Sequence, residues 1–350
     1  MGRRAGADRA ARAGRRAHRR QVPQPLLLGA ITLQAVALLL CGLLGVRSGG
    51  EAVIIGSLAL LGLGAAVANP VIAALLPRVS GEERATKAYG WYSMISQAGF
   101  LAGFAVAGVL VDATSERTAL LIAAGTSVVM AVAVGFIRTQ RVPEPHAARH
   151  DDSMWLGFAR IRADRLLLVG VSGLGVATLI SVLVNVADVF YVLDDIGASA
   201  SAYGLVTALW PAAGVVGGWY AGRLFGDAVL SRWLAGTTVA VGLALVAAGS
   251  VVSIVAVGIG WLIGGAANTA QRVCLNALVR SRTDDAARGR VFSAVSGVLQ
   301  AGNFVGLAMG ATVVALVGAR ASMLGAGAAT VVVGGVMFWL GRRTPQVATA

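Results

Sequence analysis

The sequence predicts an all-α membrane protein in which a bundle of helices occurs twice in parallel, with ten transmembrane helices arranged as 4 + 6. Three observations lead to this prediction: strong apolarity, ten apolar segments of spanning length, and a match of the chain to itself at a fixed offset. Mean hydropathy is +0.77, and 13% of the residues are charged. Soluble domains carry roughly 25% charged residues, so a soluble globular protein is excluded.

Each apolar segment is long enough to cross the bilayer, which takes about 20 helical residues for ~30 Å of hydrocarbon. The strands of membrane barrels are shorter, roughly 10 residues, and alternate in polarity, whereas these runs are apolar on all sides. We therefore predict helices over 24–46, 51–77, 88–111, 118–138, 166–192, 199–222, 230–248, 252–279, 290–316 and 321–341.

The internal repeat superimposes residues 24–138 on 227–341 with an offset of 203, and it pairs Gln97 with Gln300 and Arg117 with Arg320. Two further apolar segments, within 165–224, have no counterpart, because in this register the counterparts would precede Met1. We therefore expect a duplicated protein without its first two helices. The predicted divisions are a basic tail (1–23), a four-helix N-terminal half (24–138), a linker (139–164), a six-helix C-terminal bundle (165–343) and a tail (344–350).

The net charge of +13 is distributed unevenly between the two sides of the predicted topology. With the N-terminus inside, 26 of the 29 Lys and Arg residues fall on the inner side, and only Arg47, Arg117 and Arg320 fall outside. This is the positive-inside pattern. It predicts a multi-pass protein of the plasma or inner membrane with both termini cytoplasmic. The basic charge then sets topology and contacts anionic lipid, rather than nucleic acid.

Two turns between predicted helices carry a family resemblance. Asn69-Pro70 and the following segment to Glu83, and the string from Arg288 to Phe292 (Arg-Gly-Arg-Val-Phe), resemble corresponding turns of the major facilitator superfamily (MFS). The Arg-Gly-Arg-Val-Phe string is similar to its drug- and siderophore-exporter-like branches. The resemblance covers 24–341 and implies parallel six-helix repeats, a substrate site near the bilayer midplane and alternating access.

The resemblance also implies a conformational-switch loop after the second helix of each family half. Asp8 and Arg9 lie in a loosened version of the family motif, and Arg223 and Asp227 lie in a weaker version in the second half. An arginine-rich tail that only anchors topology remains an alternative for residues 1–20.

Glycines at spacings of four mark two predicted helices. Gly99, Gly103 and Gly108 are similar to the glycine motif that exporters of the family carry on their fifth helix, although Phe104 replaces its proline. Gly302, Gly306 and Gly310 repeat the spacing in the second half. Close packing of helix backbones explains such spacing equally well.

Polar side chains inside a bilayer are costly, and each is a candidate for the transport path. On the helices that the resemblance assigns to the central cavity, and on those at the interface between halves, the candidates are Asn69, Tyr92, Gln97, Asn185, Trp210, Asn268, Gln271, Arg272, Asn276, Gln300 and Asn303. Arg272 is suited to an anionic group, and snorkelling toward the inner interface is its alternative. The matched glutamines could instead hydrogen-bond across the two halves.

Asp188 is the one acid more than a few residues from the end of a predicted span. A carboxyl group at that depth can take up and release a proton, which makes it the candidate for proton coupling. An ordinary acid near a helix end, wetted from outside, is the other interpretation.

Enzyme chemistry has no motif in this sequence. It contains no Walker A string and no His-Glu-x-x-His, the motifs for nucleotide and zinc chemistry, and we predict no cofactor and no metal site. The expected function is a secondary transporter for proton-coupled export of a small organic molecule, with the bilayer, the substrate and protons as partners. The alternative is a truncated, non-transporting membrane protein that needs an upstream start or a partner chain.

Overall fold

A computed structural model describes residues 23–45, 50–80, 85–136 and 154–342, and all regular structure in these ranges is helical. The helices are α1 Pro23–Leu40, α2 Glu51–Ser80, α3 Ala85–Ala113, α4 Glu116–Gly135, α5 Met154–Ala163, α6 Arg165–Phe190, α7 Ala200–Ala221, α8 Asp227–Ser250, α9 Ile254–Ser281, α10 Asp285–Val317 and α11 Ala319–Arg342. Two of them continue as a π-helical turn, α1 through Cys41–Gly45 and α6 through Tyr191–Asp195.

Nine helices in the described ranges are long and apolar enough to span a membrane. They correspond to nine of the ten predicted segments. The tenth prediction falls on α2, a helix of 30 residues whose described residues include the apolar stretch Ala52–Ala68. A multi-pass helical protein is therefore confirmed, whereas the count of ten and the 4 + 6 division are not.

The helix starts follow from capping side chains. The Asp164 carboxylate accepts hydrogen bonds from the backbone N–H groups of Leu166 and Leu167 at the start of α6. Ser115 and Ser199 cap α4 and α7 in the same way. A cap of this kind satisfies N–H groups that have no partner within the helix, and it explains why α6 begins directly after the predicted linker.

Helix α5 is an element that the sequence analysis did not predict. It occupies 154–163, inside the predicted linker, and it packs on α10. The contact is close because Gly157 has no side chain: a Cβ there would collide with the carbonyl oxygen of Arg290. The earlier part of the linker, 139–153, lies outside the described residues.

The chain divides into two compact units. The first unit comprises 1–95 and 113–146, and the second comprises 96–112 and 147–350. In the first unit α1 packs against α2 and α4. Its core is formed by Leu27, Ala30, Ile31, Ala68 and Val134.

The second unit contains 96–112 of α3 together with α5 to α11. Within it α8 packs against α9 and α11, α9 packs against α7, and α10 packs against α6. Two apolar clusters form its core. One includes Leu234, Leu275 and Leu278, and the other includes Tyr191 and Trp261.

The described end of α3 in this unit contacts the start of α7. Gly108 lies against Gly204, with a Cα–Cβ approach of 3.1 Å for a Cβ built on either glycine. Asp112 accepts hydrogen bonds from the backbone N–H groups of Ala200 (3.1 Å) and Ser201 (2.7 Å), and from the Ser201 hydroxyl. The carboxylate thus faces the positive end of the α7 dipole.

Candidate functional site

A polar stripe runs along α9 within its membrane span. Asn268, Arg272 and Asn276 follow one another at intervals of four and therefore share one face of the helix. Asn268 is half-buried, and Arg272 and Asn276 are exposed. The Arg272 guanidinium has no hydrogen bond or ion pair with any residue in the described ranges. The stripe is therefore an accessible polar surface with an uncompensated cation.

The polar stripe is distinct from the apolar exposed face of the same helix. Val255, Ile259 and Ile263 are exposed, and at 3.6 residues per turn they lie roughly 100–180° around the helix from Arg272. Apolar exposed residues are those expected to contact lipid, so the stripe does not belong to that face. An accessible arginine at this depth can bind a carboxylate, a phosphate or another hydrogen-bond acceptor.

Gln271 is adjacent to Arg272 in sequence, but its side chain is directed toward another helix. It is almost fully buried, and its Nε2 donates to Thr238 Oγ1 of α8 at 3.0 Å. The Thr238 hydroxyl in turn donates to the carbonyl of Leu234 at 2.8 Å. This arrangement joins α8 to α9, while the accessible stripe is formed by the neighbouring positions.

A second polar group joins α6 to α7. Asp188 is buried, with 6% of its surface exposed, and Tyr203 donates its hydroxyl to Asp188 Oδ1 at 3.4 Å. Thr207 lies one turn further along α7, and its buried Oγ1 has no hydrogen-bond partner in the described ranges. Sequence analysis identified Asp188 but missed Tyr203 and Thr207, whose i, i+4 spacing on the next helix was the available signal.

The other residues of the second unit that we predicted to line the transport path differ in their exposure and in their contacts. Asn185 is exposed. Trp210 packs edge-to-face on Trp261 with 5.7 Å between ring centroids. On α10, Asn303 Nδ2 donates to Gln300 Oε1 at 3.2 Å, and Gln97 of α3 is half-buried.

Two candidates lie in the first unit. Tyr92 is exposed on α3. Asn69 lies within α2, and its side chain is outside the described residues.

The glycine positions differ from one another. Gly302, Gly306 and Gly310 face α6, and a Cβ on Gly302 would lie 2.8 Å from the carbonyl oxygen of Gly175. Gly108 packs on α7. A Cβ on Gly99 or Gly103 would instead have no described atom within 4 Å.

The switch-loop candidates are described only in the second half, since Asp8 and Arg9 lie outside the described residues. The Arg223 guanidinium stacks on the Trp219 ring at 3.4 Å. Asp227 accepts from Arg282 Nη1 at 2.8 Å. Arg282 also donates through Nε to Asp164 at 2.5 Å. Sequence analysis did not single out Arg282.

Burial acts to lower the pKa of Arg282, but the hydrogen bonds and charges of Asp164 and Asp227 outweigh it and raise that pKa. The side chain therefore remains a cation that joins the first turns of α6 and α8 to the end of α9. In the part of the chain that the structure describes, no group of three or more His, Cys, Asp or Glu side chains is placed to hold a metal ion.

Residues 14–261 match the sequence profile of the Major Facilitator Superfamily. The chain belongs to this superfamily. No curated protein matches the chain in sequence. The superfamily consists of transporters that are generally not enzymes, and the nine apolar helices agree with a multi-pass MFS protein.

Solved MFS structures share the fold at low sequence identity. The nucleoside transporter NupG, in a mutant form, superimposes with a TM-score of 0.74 at 13% identity, covering 93% of this chain and 85% of NupG. A bacterial homologue of the human lysosomal transporter Spinster, in an inward-facing and unoccupied conformation, gives 0.68 at 15% identity over 92% of this chain and 84% of that protein. At such identities the likeness establishes the fold alone.

Proposed function

We propose that this MFS protein is a secondary active transporter that exports a small organic molecule in exchange for protons by alternating access. The observation that carries the proposal is the α9 stripe, where Arg272 is accessible within a membrane span and has no partner in the described ranges. Holding a cation at that depth costs free energy unless an anion or water contacts it during the transport cycle. An acidic or hydrogen-bonding group of the substrate supplies that partner.

Asp188 is the proposed coupling group. It lies in the same unit as the stripe and is buried beside a single hydroxyl donor, Tyr203. A transport cycle that alternately wets and buries this carboxyl group releases and takes up a proton. The coupling ion is thereby assigned to a residue on α6 that is separate from the substrate-binding residues on α9.

The direction of transport rests on the resemblance of the Arg288–Phe292 string to exporter branches. The remaining path residues complete the proposal: Asn69, Tyr92, Gln97, Asn185, Trp210, Gln271, Asn276, Gln300 and Asn303. Asp8, Arg9, Arg223 and Asp227 are the proposed conformational-switch residues, and the contact of Asp227 with Arg282 supports such a role in the second half. The plasma or inner membrane is the proposed location, with both termini cytoplasmic.

Proteoliposomes with an imposed pH gradient and an internal pH-sensitive dye test this function. The panel consists of organic acids, amphiphilic drugs and nucleosides, the last because a structurally similar protein is a nucleoside transporter. We expect proton flux that depends on one compound class. Asp188→Asn should abolish the proton flux, and Arg272→Ala should reduce substrate transport by at least about tenfold, the equivalent of 1.4 kcal/mol of binding.

Arg280→Ala is the matched control, because Arg280 is an exposed arginine at the end of the same helix and should be dispensable. Undiminished flux in both site variants would remove the assignments of Asp188 and Arg272.

A non-transporting membrane protein that needs further helices is the second candidate. The specific observation in its favour is that Gly99 and Gly103 meet none of the described residues within 4 Å, whereas their repeat equivalents Gly302 and Gly306 pack on α6. The intact mass of the protein expressed from its own locus separates the candidates. A mass of 35.4 kDa, with no flux for any compound, would support the second.

A further inference from the structure

A polar cavity of about 220 Å³ lies at the ends of membrane spans of the second unit, where α5 and α9 end and α6 and α10 begin. The residues that matter for its chemistry are Arg160, Asp164, Arg282, Thr283 and Asp284. Pockets for drug-sized ligands measure about 300–1,000 Å³. This cavity is therefore of a size to hold a small polar group rather than a whole organic substrate.

Two of the charged residues are already occupied by protein partners. Asp164 Oδ1 accepts the N–H groups of Leu166 and Leu167, and its Oδ2 accepts from Arg282 Nε. The other end of the Arg282 guanidinium donates to Asp227 at 2.8 Å. These groups form the wall of the cavity and have little capacity left for a ligand.

Three other groups remain available. The side chains of Arg160 and Asp284 have no hydrogen bond or ion pair within the described ranges, and Asp284 does not cap α10 with its side chain. Thr283 is 8% exposed, and its Oγ1 has no partner among the described residues. Buried hydroxyls are nearly always hydrogen-bonded in native proteins, so the unpartnered Thr283 points to a ligand. The Arg160 cation can bind the negative group of a ligand and the Asp284 carboxylate its positive group, with the Thr283 hydroxyl as a further donor. Together these three side chains are suited to a zwitterionic ligand.

Helix α5 places the cavity at the membrane surface. Trp155 is 78% exposed and Leu156 is also exposed, while Arg160 and Arg162 occupy the last turn. Tryptophan is enriched at the level of lipid headgroups, and short helices with an aromatic, apolar face and basic residues lie in the interface. The cavity therefore lies within reach of headgroups rather than of the acyl chains.

We propose that this cavity binds the phosphoethanolamine headgroup of a membrane phospholipid. The phosphate contacts the Arg160 guanidinium, which matches phosphate oxygens in geometry and charge, and it accepts from the Thr283 hydroxyl. The primary ammonium donates to the Asp284 carboxylate. A headgroup that carries a phosphate but no ammonium would place its negative charge near the Asp284 carboxylate, which repels it. A choline headgroup carries a positive charge but has no N–H to donate to that carboxylate. This site is independent of the proposed transport function.

Thermal stability and native mass spectrometry of the purified, delipidated full chain test the proposal. The probes are phosphatidylethanolamine, phosphatidylcholine and phosphatidylglycerol at equal concentration, together with free O-phosphoethanolamine. We expect phosphatidylethanolamine to raise the melting temperature most and to give the most abundant one-to-one lipid adduct. Free phosphoethanolamine should compete only at much higher concentration, because it lacks the acyl chains that hold the lipid in the bilayer.

Three variants and one control make the assignment specific. Arg160→Ala, Thr283→Val and Asp284→Asn should each weaken adduct formation, by about tenfold for the two charge changes. Arg162→Ala, on the same helix but outside the cavity, should leave it unchanged. Each variant is first checked for monodisperse elution. Equal binding of the three lipids, or adducts that survive in both Arg160→Ala and Asp284→Asn, would overturn the proposal. Tight binding of free phosphoethanolamine without a lipid adduct would overturn the lipid assignment.

Discussion

At the scale of single residues, Gly103 and Gly108 of α3 are the same residue type in two different packing environments. Gly108 is buried against the backbone of α7, at Ala200 and Gly204, whereas Gly103 is exposed. The same methyl group added at each position therefore has different consequences. At Gly108 it must displace backbone, and at Gly103 it meets no atom of the described residues within 4 Å.

We expect Gly108→Ala to destabilise the protein by about 1–3 kcal/mol through overpacking. Gly103→Ala should be neutral or stabilising by up to about 1 kcal/mol, because alanine is the better helix former. Melting temperatures in one detergent measure both effects. A larger loss for Gly103→Ala would show that its open face is covered in the native membrane.

At the scale of elements, α8 and α9 are joined by a single buried side-chain hydrogen bond between Gln271 and Thr238. Removing Thr238 leaves the buried Gln271 amide without its partner, which costs about 1–3 kcal/mol. Removing Gln271 leaves the Thr238 hydroxyl bonded to the Leu234 carbonyl, and replacing both residues by apolar groups can be nearly neutral. We expect Gln271→Leu and Thr238→Val each to lower the melting temperature, and the double variant to be more stable than the sum of the two losses predicts.

The same pair also tests the place of Gln271 in the transport path. If Gln271 contacts substrate, the double variant recovers stability without recovering transport. Recovery of both would assign Gln271 to helix packing alone.

The ends of α6, α8 and α9 depend on Arg282. Its ion pairs with Asp164 and Asp227 are partly exposed, so solvent moderates their contribution. We expect Arg282→Ala to lower the free energy of unfolding by up to about 3 kcal/mol, the upper end of the range for hydrogen bonds to charged groups, and Arg280→Ala to lower it little. The comparison is made by thermal unfolding at low and high salt. A loss that does not diminish as salt rises would argue against an electrostatic origin.

At the scale of the whole molecule, the distribution of arginine predicts which loops face the cytoplasm. Single cysteines on a background of Cys41→Ser and Cys274→Ala test it. A cysteine introduced as Asp194→Cys should react with an impermeant maleimide in intact cells, and one introduced as Phe225→Cys should react only after permeabilisation. Both positions are exposed. The reverse labelling pattern would invert the topology.

The sequence predicted the membrane-spanning helices well because each one requires a long, continuous run of apolar residues, and such runs are easily recognised. The predicted segment 199–222, for example, corresponds to α7 at Ala200–Ala221. Helix α5 was missed because its ten residues, with two arginines, have too little apolar length to separate them from a linker.

The candidate site was only partly predictable because hydropathy does not fix the rotation of a helix. Gln271 and Arg272 are consecutive, and a difference of roughly 100° per residue directs one to α8 and leaves the other accessible. The contact between Asp188 and Tyr203 depends on two helices in register, which no local pattern reports. The network around Arg282 joins residues separated by more than fifty positions for the same reason.

The three-way contact of Arg282 also has a consequence for biosynthesis. A ribosome adds Asp164 and Asp227 to the growing chain well before it adds Arg282, so both carboxylates enter the nascent bundle without their cation. The early helices of the second unit therefore reach the membrane before these ends are joined. The contact that joins these helix ends forms only after residue 282 has been translated.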